Sequence, residues 1–594
     1  MTSEKPSTSI SSSSFTPMGA HTQRRWQPRA DVPPGSDAFA PESITPLQAQ
    51  LLALRGIDSA PQAHAFVHAR LKELPDPLLL PDMDKAVARL LSAIRNGEPI
   101  AVHGDYDVDG ISATSVLYLA LEQAGAKVSY HIPLRLADGY GLSGLALQED
   151  AAAGVKVVVS VDCGITAMPE AVLARECGID LIITDHHQPD DHLPAAYACV
   201  NPWLVSSTFP YKPLCGAGVA FMLVVALYSA LRRQSRMPGG FDIRKLLDLV
   251  SLGTVADLVP LTGVNRILVR AGLPLLEGDY RPGISKLREV AGVDKVSAGV
   301  VGFRLAPRLN AAGRLADAAR GVELLLCEDA QVALNIATEL DQCNRERQEI
   351  EERTLQHALV RIENELCNAR RSIVLADSSW HSGVIGIVAS RLVELFHRPV
   401  ILIAIDPENG MGKGSGRSIH GFNLYAALKS CSGWMQGYGG HEFAAGLSID
   451  ARNVEHFSQA LEDYACQWLT PEQLIPRVAY DLELSLDDIS AHLHDELQAL
   501  APFGMGNPEP MFLCRNLNVQ QAGVVGKKHV RFRVQQGGYS LACIAFGLAS
   551  KLEMLQGRVD ILFQIDTNTW QGRTSLQLKV KDIRPAAESS INIT

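Results

Sequence analysis

The chain has 594 residues, of which 47% are hydrophobic and 20% charged, and its net charge is −11. A chain of this length is too long for a single hydrophobic core, so several folding units are expected. The longest apolar stretch, residues 219–231, is too short to span a bilayer, and the negative net charge excludes a protein coated with positive charge for binding any polyanion. Any contact with nucleic acid is therefore expected to be local, and no membrane partner is expected.

Residues 1–45 contain four consecutive serines and scattered proline, arginine and threonine, a composition that predicts a disordered tail. This segment has no apolar run of the kind that forms a signal peptide. The eleven cysteines include no Cys-x-x-Cys pair, which argues against a disulfide framework and against a cysteine zinc site. A reducing cytoplasm is the expected location.

Residues 46–95 alternate short helical patterns with proline-rich breaks and predict a helical lead-in. Beyond them, short apolar segments alternate with helical patterns. The predicted strands and helices of this part are strands at 100–102, 127–132, 155–161, 181–184 and 198–200, and helices at 112–123 and 169–176. This alternation predicts a doubly wound parallel sheet in a lobe that spans residues 96–265.

The second half of the chain predicts a connector, another α/β lobe and a barrel. In a helical region at 266–370, residues 341–366 form a charged helix with an apolar stripe, expected to join two lobes. A second α/β lobe is predicted at 371–470, with strands at 372–376 and 400–405. Residues 476–588 predict a small β-barrel from four short alternating strands, at 529–534, 540–546, 559–565 and 574–580.

Residues 103–110 place three carboxylates, Asp105, Asp107 and Asp109, at alternate positions directly after an apolar strand. A solvated turn or a calcium loop of the EF-hand kind could have this composition. The EF-hand loop requires a glutamate six residues after its glycine and two flanking helices, whereas Val116 stands at that position and a strand precedes the loop. Without a cation, such crowded carboxylates would repel one another.

Two further polar groups follow predicted strands of the same sheet: Asp162 and the triplet Asp185-His186-His187. Taken singly, an aspartate after a strand is more often a helix cap, and a histidine is more often a packing residue. Because the carboxyl ends of parallel strands share one edge of the sheet, these groups and the aspartate-rich turn are expected to meet there. Oxygen and imidazole ligands together suit Mn²⁺ or Mg²⁺, and two such ions support hydrolysis of a phosphoester.

The triplet at 185–187, the Asp-x-Asp turn and Asp162 together resemble the signature of the DHH phosphoesterase superfamily, whose members use two metals. Further segments resemble the RecJ family within it, and they follow that family's order over most of residues 90–450. These segments are 103–110, 132–135 with 139–142, 214–219, 253–260, 307–314, 381–391, 414–418 and 439–446.

The resemblance implies a role for each matching polar residue. It implies a metal shell of Asp105, Asp107, Asp109, Asp162, His186 and Asp257. Asp162 would bridge the two ions and His187 would face the scissile phosphate. Asp185 would belong to the catalytic residues from a position behind the metal ligands. His103 occupies a position that binds metal in some relatives, which leaves open whether Asp105 is a direct ligand.

The substrate side of the site is expected on two segments. Arg308, Asn310 and Arg314 offer guanidinium and amide groups for a phosphate backbone, although a helix end with solvated arginines has the same composition. The resemblance favours substrate contact. In the second lobe, residues 414–418 combine flexible backbone N–H donors with polar side chains, which suits an anion pocket, although a bland glycine-rich loop remains an alternative.

The resemblance places recognition of a 5′-terminal phosphate in this second lobe. It implies Ser415 and Arg417 as the pocket, with Arg135 beside them and His441 near a phosphate; His381 is a weaker candidate of the same kind.

The predicted barrel resembles an OB-fold and carries a local basic strand. Its candidate residues for single strands are the basic Lys527, Lys528, Arg531 and Arg533 and the aromatic Phe532, Tyr539 and Phe546. Aromatic residues in a barrel are more often core than stacking platforms.

The resemblance therefore implies a metal-dependent exonuclease that degrades single-stranded DNA from 5′ to 3′ in DNA repair and recombination. It implies Mn²⁺ or Mg²⁺ as cofactor and single-stranded DNA as partner, with a single-strand-binding protein and a helicase as further candidates. Two alternatives remain: a DHH enzyme acting on small nucleotides or short oligonucleotides, and a non-catalytic DNA-binding replication factor. The complete acidic and histidine set favours catalysis.

Overall fold

The computed structural model describes residues 24–32, 44–134, 141–237, 239–365 and 370–586. Within these ranges the chain forms two α/β lobes, a long helix between them and a C-terminal barrel. The N-terminal segment contains β1 (Arg25–Pro28), α1 (Pro46–Ala53) and α2 (Ala60–His68).

The first lobe is built around a fully parallel sheet of five strands. Its elements are α3 (Met83–Asn96), β2 (Pro99–His103), α4 (Val108–Gln123), β3 (Lys127–His131), α5 (Gly144–Ala152), β4 (Val157–Val161), α6 (Met168–Glu176), β5 (Asp180–Thr184), β6 (Ala198–Val200), α7 (Gly216–Arg233) and α8 (Leu247–Ala256). The strand order is β3-β2-β4-β5-β6. Separate apolar clusters cover the two faces, with α4 and α7 on one and α5 and α6 on the other. The predicted doubly wound parallel sheet is confirmed.

Helix α7 is long and apolar enough to cross a membrane by length and composition, but most of it is buried in the first lobe. It packs against α4 and α8, and Phe221, Leu223 and Leu227 belong to the main core cluster. A helix that is apolar all round is what the centre of a large lobe requires.

A helical region follows and ends in the connector. Its elements are α9 (Gly263–Leu276), α10 (Pro282–Ala291), α11 (Ala298–Val300), a π-helical turn at Val301–Leu305, α12 (Ala306–Leu315), α13 (Ala319–Leu326) and α14 (Ala330–Glu365). The connector begins at Ala330, whereas the charge pattern predicted a start at Asp341. Its first turns bury Ala333, Ile336 and Leu340 in the core of the first lobe, which a pattern of charges does not reveal.

The second lobe has a mixed sheet of five strands. Its elements are β7 (Ile373–Asp377), α15 (Ile385–Phe396), β8 (Val400–Ile405), β9 (Met411–Arg417), α16 (Leu424–Ser430), β10 (Gly437–Gly440), β11 (Ala444–Asp450) and α17 (Val454–Trp468). The order is β10-β11-β9-β8-β7, and only β7 and β8 run parallel.

The glycine-rich segment expected to be flexible is instead the strand β9, at the centre of this sheet. A Cβ on Gly414 would lie 2.7 Å from Leu447 Cγ, so the neighbouring leucine fills the space that a side chain would need. Tertiary packing thus decides the conformation, against the low strand propensity of glycine.

The C-terminal part is a closed barrel, which confirms the predicted OB-fold. Its elements are β12 (Arg477–Tyr480), β13 (Leu482–Glu483), α18 (Ala491–Gln498), β14 (Phe512–Val525), β15 (His529–Gln536), β16 (Tyr539–Ala545), β17 (Arg558–Trp570) and β18 (Arg573–Pro585). Pairing of β14 with β17 closes the barrel, and residues of α1 and α2 pack onto its core cluster.

Part of the predicted disordered tail is ordered. The strand β1, at Arg25–Pro28, pairs in parallel with β12, and Trp26 Nε1 donates a hydrogen bond to Asp582 Oδ2 at 2.8 Å. A disorder prediction based on composition missed this strand because its partners lie more than 450 residues away. The remaining tail, residues 1–23 and 33–43, lies outside the described residues.

Candidate metal centre

The carboxyl edge of the first sheet gathers the polar groups predicted from sequence. The 105–109 turn follows β2, Asp162 follows β4, and the triplet at 185–187 follows β5, while Asp257 comes directly after α8. Their potential ligand atoms lie within 4.8 Å of one another in three overlapping groups: Asp105 with Asp107 and Asp162; Asp109 with His186 and Asp257; and Asp162 with His186 and His187.

His186 stands at the centre of this cluster. Its Nε2 lies 2.9 Å from Asp162 Oδ1, 3.7 Å from Asp257 Oδ2 and 3.9 Å from Asp109 Oδ2. Burial lowers the pKa of His186 to about 4, so the ring is neutral at physiological pH. A neutral imidazole surrounded by carboxylates can offer its lone pair to a cation.

The carboxyl groups resist ionisation in the absence of a cation. Burial, followed by the neighbouring charge of Asp107, raises the pKa of Asp109 to about 6. Burial and the charge of Asp109 also raise the pKa values of Asp162 and Asp257 well above the usual range. Among the described residues, the buried atoms His186 Nε2 and Asp257 Oδ2 have no hydrogen-bond partner. This donor set fits divalent cations that accept oxygen and imidazole ligands.

Local hydrogen bonds fix the aspartate-rich turn. Asp107 caps α4, and its Oδ1 accepts hydrogen bonds from the backbone N–H of Asp109 at 2.8 Å and of Gly110 at 3.1 Å. A Cβ on Gly110 would lie 2.4 Å from the backbone oxygen of Asp105, so only glycine allows the turn to fold this tightly. Asp109 accepts from the first N–H groups of α7, at Gly216 and Ala217.

Asp162 has a strained backbone, with φ of +63°. Residues other than glycine rarely adopt this left-handed region, and such strain concentrates at functional sites. The conformation turns the chain directly after β4 and belongs to the one aspartate that is shared by two of the three groups.

Asp185 supports His187 rather than joining the ligand groups. It is buried, and it accepts hydrogen bonds from the N–H of Ile165 at 2.9 Å, from the N–H of His186 at 2.7 Å and from His187 Nδ1 at 2.7 Å. Although burial alone would raise the pKa of Asp185, the hydrogen bond and charge of His187 lower it overall. Burial likewise opposes protonation of His187, but Asp185 raises its pKa, and the His187 side chain is 41% exposed.

His103 lies outside the three ligand groups. Its Nε2 is 2.6 Å from Asp150 Oδ2 and its ring lies 5.1 Å from that of His131. Sequence reasoning did not single out Asp150, because it sits in α5, whose pattern predicts no chemistry. A metal-ligand role for His103 therefore remains a prediction without geometric support, whereas Asp105 falls within a ligand group.

Helix α12 brings the segment at 307–314 against the metal loop. Asn310 Oδ1 accepts from the backbone N–H of Val108 at 3.2 Å, which ties this helix to the start of α4. Arg308 Nε pairs with Asp341 Oδ1 of α14 at 2.9 Å, and Arg314 Nη1 donates to the carbonyl oxygen of Gly383 in the second lobe at 3.1 Å. Arg314 thus links α12 to the second lobe and Arg308 links it to the connector helix, an arrangement different from solvated arginines at a helix end. Direct substrate contact remains a prediction for all three.

The second lobe has an open cleft of about 480 Å³ between the start of α15 and the strands β9, β10 and β11. Ser415 lines it, together with Lys413, which sequence reasoning missed although it is a cation between two glycines of β9. Arg417 Nη1 donates to Ser415 Oγ at 3.2 Å. His441 lies exposed in the β10–β11 turn and outside the cleft lining. Arg135 lies outside the described residues.

His381 lies just before α15 in this lobe, where its Nδ1 accepts a hydrogen bond from the N–H of Gly383 at 3.1 Å.

On the barrel, Phe532 is buried and belongs to the core, so the prediction of a stacking role for it is wrong. Tyr539 begins β16 and Phe546 follows its last residue, and both are more than half exposed; Arg531 is exposed on the paired strand β15. Successive side chains of β15 point to opposite faces of the sheet, so Phe532 points into the barrel and Arg531 points outward.

Comparison with known proteins identifies the family of this chain. Three family models match: "DHH family, N-terminal domain" over residues 99–254, "DHHA1 domain" over 370–466 and "RecJ OB domain" over 480–582. The chain is 39% identical over 571 residues to the single-stranded-DNA-specific exonuclease RecJ of Escherichia coli, covering 92% of this chain and 97% of that protein. It is also 39% identical over 548 residues to the RecJ of Bacillus subtilis, covering 91% of this chain and 68% of that protein.

A solved structure gives the same result for the fold. The crystal structure of RecJ in complex with Mn²⁺ from Thermus thermophilus superimposes with a TM-score of 0.81 at 32% identity, covering 95% of this chain and 80% of that one. The identities, the coverage and the order of the three matched domains show that this chain belongs to the RecJ family of DHH proteins.

Proposed function

We propose that this chain is a divalent-metal-dependent exonuclease that hydrolyses phosphodiester bonds of single-stranded DNA, starting from the 5′ end. The observation that carries the proposal is the buried cluster of carboxylates and a neutral imidazole around His186 Nε2. The relatives named as single-stranded-DNA-specific exonucleases, and the related structure solved with Mn²⁺, support the substrate and the cofactor.

Each member of the cluster has a proposed part. Asp105 and Asp107 would hold one cation, Asp109, His186 and Asp257 would hold the other, and Asp162 lies within reach of Asp105, Asp107 and His186. Mn²⁺ or Mg²⁺ bound there would supply Lewis-acid chemistry, for the attacking water and for the charge on the phosphate oxygens. His103 acts through its contact with Asp150, outside the ligand set.

In this proposal His187 donates a hydrogen bond to a phosphate oxygen or a proton to the leaving oxygen. Its Nδ1 bonds to Asp185, which orients the ring and leaves Nε2 on the opposite edge of a partly exposed side chain. The raised pKa of His187 favours a proton on Nε2 in the presence of an anionic substrate. From there the ring can donate to a phosphate oxygen or to the leaving oxygen.

The second lobe explains why cleavage would begin at a chain end. Its cleft offers the Ser415 hydroxyl and the Lys413 ammonium for a terminal phosphate, while Arg417 holds Ser415 in place. The link from Arg314 to Gly383 joins this cleft to the helix that supports the metal loop. A strand held by its 5′ phosphate in the cleft would therefore present a nearby phosphodiester to the metal centre.

A small-nucleotide phosphoesterase would need the two lobes but not the barrel. The exposed Arg531, Tyr539 and Phe546 on the barrel favour a polymer instead. A role in DNA repair and recombination, a cytoplasmic location, and contacts with a single-strand-binding protein and a helicase are further parts of this proposal.

The test combines substrates, metals and one inactive variant. Single- and double-stranded DNA and RNA, labelled at the 3′ end, are incubated with the chain in Mn²⁺, in Mg²⁺ and in chelator. We expect metal-dependent shortening of single-stranded DNA from the 5′ side, and loss of cleavage with retained strand binding in His186→Ala. Release of the 3′ label first, or undiminished turnover in His186→Ala, would contradict the proposal.

A further inference from the structure

We propose that Phe303 is a stacking platform for a DNA base on the 3′ side of the scissile phosphate, an inference that rests on the proposed function. Phe303 is 86% exposed, against 56% for Phe546 and 43% for Phe443, the other exposed phenylalanines among the described residues. A phenylalanine ring in water forgoes the burial that normally stabilises it. Its position therefore calls for a partner.

The backbone holds this ring outward. Phe303 lies at the middle of the π-helical turn Val301–Leu305, and the two ends of that turn, Val301 and Leu305, are fully buried in the core of the first lobe. A π-helical turn is rare and occurs often at functional sites. A Cβ on the neighbouring Gly302 would meet no atom within 4 Å, so the space beside the ring is open.

The helix that follows places Phe303 relative to the metal centre. Residues 307, 310 and 314 of α12 recur at the spacing that puts side chains on one helix face, and Phe303 lies in the π-helical turn that leads into this helix. At the far end of this face Arg314 bonds to Gly383, which lines the second-lobe cleft, and at its middle Asn310 bonds to Val108 of the metal loop. Phe303 precedes the other end of the helix, so the order along the helix is terminal-phosphate cleft, metal loop, aromatic ring.

This order gives the polarity and the reach of the contact. Seven residues separate Phe303 from Asn310, which corresponds to roughly 10 Å of helix. At about 3.4 Å per stacked nucleotide, the ring would meet a base within about three nucleotides of the scissile phosphate. A strand with its 5′ end in the second lobe would pass the metal centre first, so the base belongs to its 3′ side.

The surroundings of the ring suit a nucleic acid. Arg304 follows Phe303 and is also exposed, and its guanidinium group donates a hydrogen bond to the carbonyl oxygen of Ala291 at the end of α10, so a cationic side chain is held beside the π-helical turn. Stacking on an aromatic face does not depend on base identity, and a nearby cation attracts the phosphate backbone. Such a contact would favour flexible single strands, because a paired base cannot turn onto the ring.

The experiment compares substrate lengths in the full chain with Mn²⁺. In Phe303→Ala, we expect the ratio of kcat/KM for a 12-nucleotide strand to that for a dinucleotide to fall about tenfold. The change should appear as a higher KM for the long strand. Phe303→Trp should restore the wild-type ratio. Trp468→Ala removes another exposed aromatic ring, at the end of α17, and should leave the ratio unchanged.

A second measurement uses binding without cleavage, so it does not depend on the proposed activity. Strands with one abasic site, moved along the first six positions, are titrated in chelator and followed by fluorescence anisotropy. One position should weaken binding to the wild-type chain about tenfold and have no effect on Phe303→Ala. Abasic sites that weaken both chains equally, or an unchanged length ratio in Phe303→Ala, would overturn the platform and leave Phe303 as a contact for another protein. Absence of metal-dependent cleavage by the wild-type chain would instead refute the proposed function.

Discussion

The two lobes differ in the charge and in the free volume around their candidate sites. The first lobe packs several carboxylates into a buried cluster, raises their pKa values and strains the backbone of Asp162. The second lobe surrounds its cleft with glycines, and its wall offers Lys413 as a cation and Ser415 as a hydroxyl donor. A site that must hold cations thus accepts an electrostatic cost, whereas a site that must admit a chain end keeps its walls free of bulk.

This difference predicts separate effects of substitution. Changes in the first lobe should alter the chemical step and the response to metal, and changes in the second should alter which chain ends are used. A first-lobe substitution that changed only end preference would contradict the division of labour.

The largest effect is expected from Asp162→Asn. The substitution keeps the shape of the side chain but removes the charge that two ligand groups share, so cleavage should fall roughly a thousandfold. Single-turnover cleavage in Mn²⁺ measures the loss. Asp191→Asn, on an exposed loop of the same lobe, is the matched control, and comparable activity in the two variants would refute the shared-ligand assignment.

Metal removal should destabilise the chain more at neutral than at acid pH. The folded-state pKa of Asp109, about 6, is above its unfolded value, so its contribution to stability is present below about pH 4 and lost as the pH rises to 6. Asp162 and Asp257 shift in the same direction. His186 opposes them, since its folded pKa of about 4 lies below the unfolded value and its contribution grows between pH 4 and 6.5.

Three carboxyl groups against one imidazole leave a net loss of stability in the metal-free chain. We therefore expect Mn²⁺ to raise the Tm by at least about 3 °C at pH 7.5 and by less at pH 5. Differential scanning calorimetry with and without chelator checks this. An equal gain at both pH values would show that the crowded carboxylates do not drive metal binding.

Asp185→Asn should have an intermediate effect, because Asp185 acts through His187. Loss of the anionic partner should lower kcat about ten- to a hundredfold and lower the pKa of His187, which Asp185 raises in the wild type. The alkaline limb of the pH–rate profile should move to lower pH. A lower rate with an unmoved limb would mean that His187 does not act in its protonated form.

In the second lobe, Arg417→Ala should reduce the preference for a 5′-phosphorylated over a 5′-hydroxyl strand about tenfold, because Ser415 loses the hydrogen bond that fixes it. Competition between the two substrates measures the preference. Arg452→Ala changes an exposed arginine of the same lobe, paired with Asp450, and should keep the preference. An equal loss of cleavage on both substrates in Arg417→Ala would show that Arg417 contributes to general strand binding and not to recognition of the 5′ end.

Sequence reasoning predicted the first lobe better than the second for a physical reason. In a parallel sheet buried on both faces, strands such as β4 are continuous apolar runs, and the residues that follow them must share one edge. The position of Asp162 and of the 185–187 triplet therefore follows from the fold class. Asp257 lies after a helix, so its place in the cluster was implied by the family resemblance alone.

Long-range packing explains what the sequence could not show. The strand identity of the glycines in β9 depends on Leu447 and Ile403, which lie on neighbouring strands. The pairing of Arg308 with Asp341 and of His103 with Asp150 likewise joins elements whose relative position no local pattern encodes. Local periodicity predicts elements, and it leaves side-chain partners between distant elements undetermined.

The smallest effect, and the sharpest test of the comparison, is expected from Gly439→Ala. Gly439 lines the second-lobe cleft, and a Cβ there would meet no protein atom within 4 Å, so the added methyl group should leave the fold unstrained and occupy only the cleft. We expect an unchanged Tm and a KM for 5′-phosphorylated strands that is about threefold higher, since the added methyl group displaces part of the terminal nucleotide. Gly433→Ala is the matched control, because its Cβ would also meet nothing within 4 Å and it lies outside the cleft lining. If both variants behaved like the wild type on phosphorylated ends, the open glycine wall would not be where the chain end binds, and the contrast between a charged lobe and a spacious one would lose its functional meaning.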